Sequence, residues 1–221
     1  MGDSIQIPTG GMQCIGAWLA RPAGQPLGGV VVVQEIFGVN AHVRSVVERW
    51  AAHGYTAIAP AIFDHVETGV ELEYDEDGIR RGRALAAEVG FDRAVTAVAS
   101  AAEAIASAGR VAAIGFCWGG TVAFLANTRL GLPAVSYYGG RTVPFLHEQP
   151  RAPLLLHFGE RDPIIPPEHV ELHRRALPAA EIHVYPAGHG FNCDHRADYD
   201  PDCAALAEQR TLAFLRRHLS P

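Results

Sequence analysis

The chain has 221 residues, 48 % of them hydrophobic, with 24 acidic and 18 basic side chains and a formal net charge of −6. These values exclude a disordered chain and leave no basic footprint for nucleic acid or for an anionic membrane. Every basic residue is an arginine, which also excludes a Schiff-base lysine and a phosphate-binding P-loop.

The opening MGDSIQIPTGGMQCIGAWLA has no basic segment ahead of an apolar one, and no later run reaches the length of a membrane span. A cytoplasmic protein without a membrane partner is expected. Met1-Gly2 begins like a myristoylation signal, but Gln6 stands where that signal needs Ser or Thr. Apolar runs bounded by turn residues predict buried strands at about 14–20, 29–35, 55–59, 110–116, 133–138, 152–158 and 181–185. Helical patterns alternate with them at about 40–53, 92–108, 119–129, 166–176 and 202–218, the first opened by Asn40 and the fourth by Pro166-Pro167. The stretch from about 61 to 91 reads poorly as either element and is expected to be a partly irregular excursion over the site. This alternation predicts one α/β domain over residues 1–221, with a single mostly parallel sheet flanked by helices on both faces.

In such sheets ligands bind beyond the carboxyl ends of the strands. The residues that follow the predicted strands are Gln34-Glu35-Ile36, Cys117-Trp118, Glu160-Arg161-Asp162 and Gly188-His189-Gly190. Gly115-Phe116-Cys117-Trp118-Gly119 has the G-x-nucleophile-x-G form, with cysteine in the serine position and a strand-to-helix context. Glycine is needed two residues either side because side chains there collide with the neighbouring strand and helix. The turn exposes the thiol where the following N–H and the helix N-terminus stabilise negative charge. Such an elbow calls for an acid and then a histidine in later strand-end loops, and Asp162 and His189 occupy those places. Each residue also has a plainer role open to it: a small buried cysteine in a tight turn, an aspartate capping backbone N–H groups, with Glu160 as the substitute acid, and a solvated loop histidine. Glu35, at the end of GGVVVVQ, either bonds nearby backbone N–H groups or acts on the thiol, since an unpartnered buried carboxylate is costly.

GFCWGG at 115–120, QEIFGVN at 34–40, GERDPIIP at 159–166 and AGHGF at 187–191 together resemble the dienelactone hydrolase family of α/β-hydrolases over nearly the whole chain. The resemblance implies Cys117 as nucleophile, His189 as its base, Asp162 as the orienting acid and Glu35 as acceptor of the thiol proton when substrate arrives. It implies an oxyanion hole from the N–H groups of Ile36 and Trp118, a small-molecule ester or lactone as substrate, and no cofactor or metal. It also implies Arg81 as one of two arginines that grip a substrate carboxylate, whereas Leu85, Glu88 and Cys193 depart from the rest of that pattern.

Arg80, Arg83 and Arg196 are further candidates for a carboxylate clamp, against a solvated charged face. Phe37 and Trp118 either line an acyl pocket or cover the core. His169 and His173, four apart on a predicted helix, and the set His189, Cys193 and His195 are weak metal patterns. The expected activity is cysteine-dependent hydrolysis of a lactone or small ester by a monomer or small homo-oligomer. A thioesterase with the same residues, or a retired hydrolase fold that binds a small ligand, is the alternative.

Overall fold

A computed structural model describes residues 2–10 and 13–219. All eight strands join one sheet in the order β1-β2-β4-β3-β5-β6-β7-β8: β1 Asp3–Pro8, β2 Cys14–Ala20, β3 Gly29–Val33, β4 Thr56–Pro60, β5 Val111–Phe116, β6 Ala134–Tyr137, β7 Leu154–Gly159 and β8 Glu181–Tyr185. Strand β2 runs antiparallel to both β1 and β4, and the remaining pairings, from β4 through β3 and β5 to β8, are parallel. The fold is that of an α/β-hydrolase. Central β3 is buried throughout because helices cover both faces of a parallel sheet, which is why its sequence is an unbroken valine run. Burying each of those valines fully contributes roughly 1.5–3 kcal/mol.

Helix α1, Ala41–Ala52, buries Val43, Val46, Val47 and Trp50 at the three- and four-residue spacing of one face, and Asn40 caps it by accepting from the Val43 N–H at 3.2 Å. Arg49 and His53 of this segment both reach Glu208 of the C-terminal helix α5, Pro201–Leu219. Helix α3, Trp118–Leu130, is buried almost all round and ends on Gly131 in the left-handed conformation. Helix α4, Pro167–Ala176, opens on the expected proline.

Two expectations are corrected. Strand β1 was not anticipated, since DSIQIP is an edge strand with mostly exposed side chains and lacks a buried apolar run. The 61–91 stretch is irregular only at 66–75: it opens on a 3₁₀ turn at Ile62–His65 and ends in helix α2, Glu76–Ala104, which starts well before the alanine-rich part that marked it. Asp75 caps that helix through the Gly78 N–H at 2.7 Å. Gly78, Gly82 and Gly90 weaken its sequence signal, and Gly90, at φ 70° and ψ 170°, breaks it into two arms. The second arm packs Ala94, Ala97, Val98 and Ala101 into the core, while the first crosses the carboxyl ends of the strands beside residues 36 and 118.

Candidate active site

Cys117 sits between β5 and α3 at φ 54° and ψ −116°, a conformation that costs a side-chain-bearing residue energy and is held by its surroundings. Its N–H donates to the Tyr137 carbonyl at 3.0 Å. The glycines fit because nothing larger does: a Cβ on Gly115 would stand 1.8 Å from the Gly119 carbonyl oxygen, and one on Gly119 would stand 2.2 Å from that of Gln34.

His189 Nε2 lies 3.1 Å from Cys117 Sγ, and His189 Nδ1 lies 2.7 Å from Asp162 Oδ2. Asp162 performs both roles open to it, since its Oδ1 accepts from the N–H groups of Ile164 and Ile165 at 2.8 and 3.2 Å. Those bonds fix the carboxylate, and the carboxylate fixes the imidazole. Glu160, the substitute acid, is exposed. Burial opposes a charge on His189, but its hydrogen bonds to Asp162 and Cys117 outweigh that cost and push its pKa up to about 10. Tyr138, at φ 41°, packs edge-on to the His189 ring at 5.1 Å.

Glu35 is 1 % exposed. Its Oε1 pairs with Arg196 Nη1 at 3.3 Å, and its Oε2 has no hydrogen-bond partner among the described residues. Arg196 reaches it across Gly190, whose φ is +83° and where a Cβ would stand 2.6 Å from Arg196 Nε. Burial works against the Arg196 charge, but Glu35 together with Cys117, Tyr138 and Cys193 outweighs that cost and raises its pKa.

A cavity of about 290 Å³ opens above the sulfur. Ile36, Phe37, Trp118 and Ile164 give it an apolar wall, while Arg83, Arg141 and Arg196 give it positive charge. Ile36 and Trp118 line the cavity together with Cys117, and the N–H of neither donates to another backbone carbonyl among the described residues outside regular elements. Helix α2 comes close here only because of Gly82, where a Cβ would stand 2.0 Å from the Ile36 carbonyl oxygen.

Arg81 is placed elsewhere. It pairs with Glu67, whereas Arg83 joins Ile79 and Ala86 on the face of α2 toward the cavity, at the spacing of one helical stripe. Arg80 pairs with Asp77. Arg141, which follows β6, was not anticipated; it carries no motif beyond its position after a strand. The weak metal patterns also change. His173 has both ring nitrogens engaged, by Thr142 Oγ1 and the His169 carbonyl. His189 faces Cys117, Cys193 is buried, and His195 turns instead toward His42 and Asp194.

A strained cysteine elbow, a buried histidine–carboxylate couple beside it and a lined cavity at the carboxyl ends of a parallel sheet define an α/β-hydrolase site. A carboxymethylenebutenolidase of Pseudomonas putida is 33 % identical, the alignment covering 97 % of this chain and 95 % of that protein. A solved Klebsiella pneumoniae protein is 33 % identical over 99 % of both chains with a TM-score of 0.88. The dienelactone hydrolase of Anabaena variabilis, 15 % identical over 99 % of this chain and 98 % of its own with a TM-score of 0.72, shares the fold. The dienelactone hydrolase family model matches residues 15–219. The chain belongs to that family, and it is a hydrolase enzyme. Among the described residues no helix is long and apolar enough to cross a membrane.

Proposed function

We propose that the protein is a cysteine-dependent carboxylic-ester hydrolase that opens a small lactone bearing a carboxylate, through an acyl-thioester. The observation that carries this reading is the unbroken chain from Cys117 Sγ through the His189 imidazole to Asp162, at 3.1 and 2.7 Å. The family and its lactone-named relatives support the substrate class.

The thiol gives its proton to His189, whose raised pKa favours holding it. Glu35 is the alternative acceptor for that one thiol proton: once a substrate anion draws Arg196 away, its orphaned Oε2 takes the proton in place of His189, and the proton passes back to His189 before the ring C–O bond breaks. The sulfur then attacks the carbonyl carbon, and the N–H groups of Ile36 and Trp118 hold the oxyanion. Collapse breaks the ring C–O bond, and the leaving oxygen takes the proton from His189. Water, deprotonated by His189, attacks the thioester, the C–S bond breaks, and a carboxylate leaves. In a lactone both new groups stay on one molecule.

Arg83 and Arg141 take the place in substrate recognition first expected of Arg81. Both line the cavity, and neither belongs to an ion pair among the described residues. Their charge is therefore available to a ligand carboxylate. A panel of carboxylate-bearing lactones, neutral aryl esters and thioesters, run against Cys117→Ala, tests the reading. Turnover with a Cys117 acyl adduct trapped by acid quench and mass spectrometry supports it; equal turnover by Cys117→Ala ends it.

A further inference from the structure

His42, Asp194 and His195 converge on one point of the surface, where one ligand atom from each lies within 4.8 Å of the others. His42 is 2 % exposed near the start of α1, beside the Asn40 cap. Its Nδ1 lies 2.8 Å from Asp194 Oδ1, and His195 Nε2 lies 3.9 Å from the same oxygen. The His195 ring is more exposed but not loose. It rests against His42 at 5.5 Å and against Tyr74 at 6.0 Å, and Tyr74 is itself held by the Asn40 amide at 3.1 Å.

We infer that these three side chains form a divalent-metal site of the zinc class, distinct from the hydrolytic residues, that ties the 194–196 loop to α1. The donor set is two imidazoles and one carboxylate, which suits Zn²⁺ and leaves a fourth position open to water. The spacing suits it as well. Tetrahedral zinc with bonds of about 2.0–2.1 Å sets its ligands about 3.3 Å apart. The observed 2.8 and 3.9 Å to Asp194 bracket that value, and the third pair, His42 with His195, lies within 4.8 Å. One lone pair of Asp194 need not leave the cluster: the ion replaces the proton now shared between His42 and Asp194.

The position gives the site a consequence. Arg196 follows His195 directly and is the partner of Glu35. An ion bound at His42, Asp194 and His195 therefore anchors the loop from which Arg196 reaches across Gly190.

The test uses Cys117→Ala as background, because a thiol beside His189 is a competing zinc ligand. Zn²⁺ is titrated against a chromophoric chelator, and Co²⁺ absorption reports the geometry. Expected are one equivalent bound, tetrahedral Co²⁺ bands and a melting temperature that rises with free Zn²⁺. His195→Ala and Asp194→Asn each weaken binding at least about tenfold, the lower bound for even an outer-shell partner. Asp194→Asn retains an acceptor for His42, so it keeps the fold while losing the charge. Absence of binding in the Cys117→Ala background, or affinity unchanged by both substitutions, overturns the inference.

Discussion

Arg196 and Glu35 pair at 3.3 Å although they are 161 positions apart, and both side chains are largely withdrawn from water, at 17 % and 2 % exposure. The pair joins the turn after β3 to the loop after β8, and its Arg196 stands in the wall of the cavity that holds Cys117. Glu35→Gln tests what it does. If Glu35 is a proton acceptor, kcat/KM falls by about 10²–10⁴, because an amide takes no proton. Stability falls too, by about 1–3 kcal/mol, less than the roughly 3–5 kcal/mol for breaking a fully buried pair because Arg196 keeps some solvent. Near-normal turnover together with a lowered melting temperature assigns Glu35 to structure alone.

The cysteines differ sharply in environment. Burial and then the Glu35 charge push the Cys193 thiol up to about 12, and burial and then Asp200 push Cys203 up to about 11. Cys14 is exposed. In a limited iodoacetamide reaction near neutral pH, Cys117 is alkylated first, since its sulfur lies 3.1 Å from the His189 imidazole. Peptide mass spectrometry reads the order, and preferential labelling of Cys14 counts against an activated Cys117. Cys117→Ser retains the fold and turns over poorly.

The raised pKa of His189 makes part of the stability pH-dependent. Its folded value of about 10 lies above the ordinary 6.5, so the folded state holds the proton more tightly. That contribution is complete below about 6.5 and is lost as pH rises through about 10. Thermal melts of the wild type and His189→Gln across this range are expected to converge toward alkaline pH. A constant gap between the two curves contradicts the assignment.

Arg83→Ala and Arg141→Ala are expected to raise KM for a carboxylate-bearing lactone by about tenfold or more while leaving kcat largely unchanged, as for a charge-assisted hydrogen bond of about 1.5–3 kcal/mol made equally in ground and transition states. A neutral aryl ester serves as the control. An equal effect on both substrates means that the arginines shape the cavity without reading charge.

Gly82→Ala places a methyl 2.0 Å from the Ile36 carbonyl, a backbone atom that cannot swing aside. The expected cost is about 1–3 kcal/mol of stability. Turnover also falls, because Ile36 supplies one of the proposed oxyanion donors. Wild-type kcat in a folded variant shows that the Ile36 N–H is dispensable.

The parts of the site visible in the sequence are those that backbone topology puts in order. Cys117, Asp162 and His189 each follow a strand of the same parallel sheet, so chain order and strand ends were enough to bring them together. Arg83 was ambiguous for a different reason. Choosing between Arg81 and Arg83 depends on helical phase, and phase was lost when three glycines hid the first arm of α2. With the helix start at Glu76 known, Ile79, Arg83 and Ala86 fall on one stripe and Arg81 falls off it. The Arg196 link to Glu35 and the approach of His42 to Asp194 depend on how two loops end far from any local pattern. Strand β1 was missed because an edge strand carries little of the burial that makes strands readable.

The break at Gly90 separates two kinds of selection within a single helix. Residues 91–104 answer to the core, where a changed volume is punished at once. Of residues 76–89, Ile79 and Arg83 face the cavity while Leu85 and Val89 are buried in the core, and the joint at φ 70° lets the two arms take different directions. New substrate preferences are thus most accessible at the less buried cavity-lining positions of the first arm, Ile79 and Arg83, away from Gly82 and from the buried Leu85, Ala86 and Val89. Directed evolution confined to Ile79 and Arg83 is expected to yield altered selectivity with fewer misfolded variants than the same effort spent on Ala94, Ala97 and Val98.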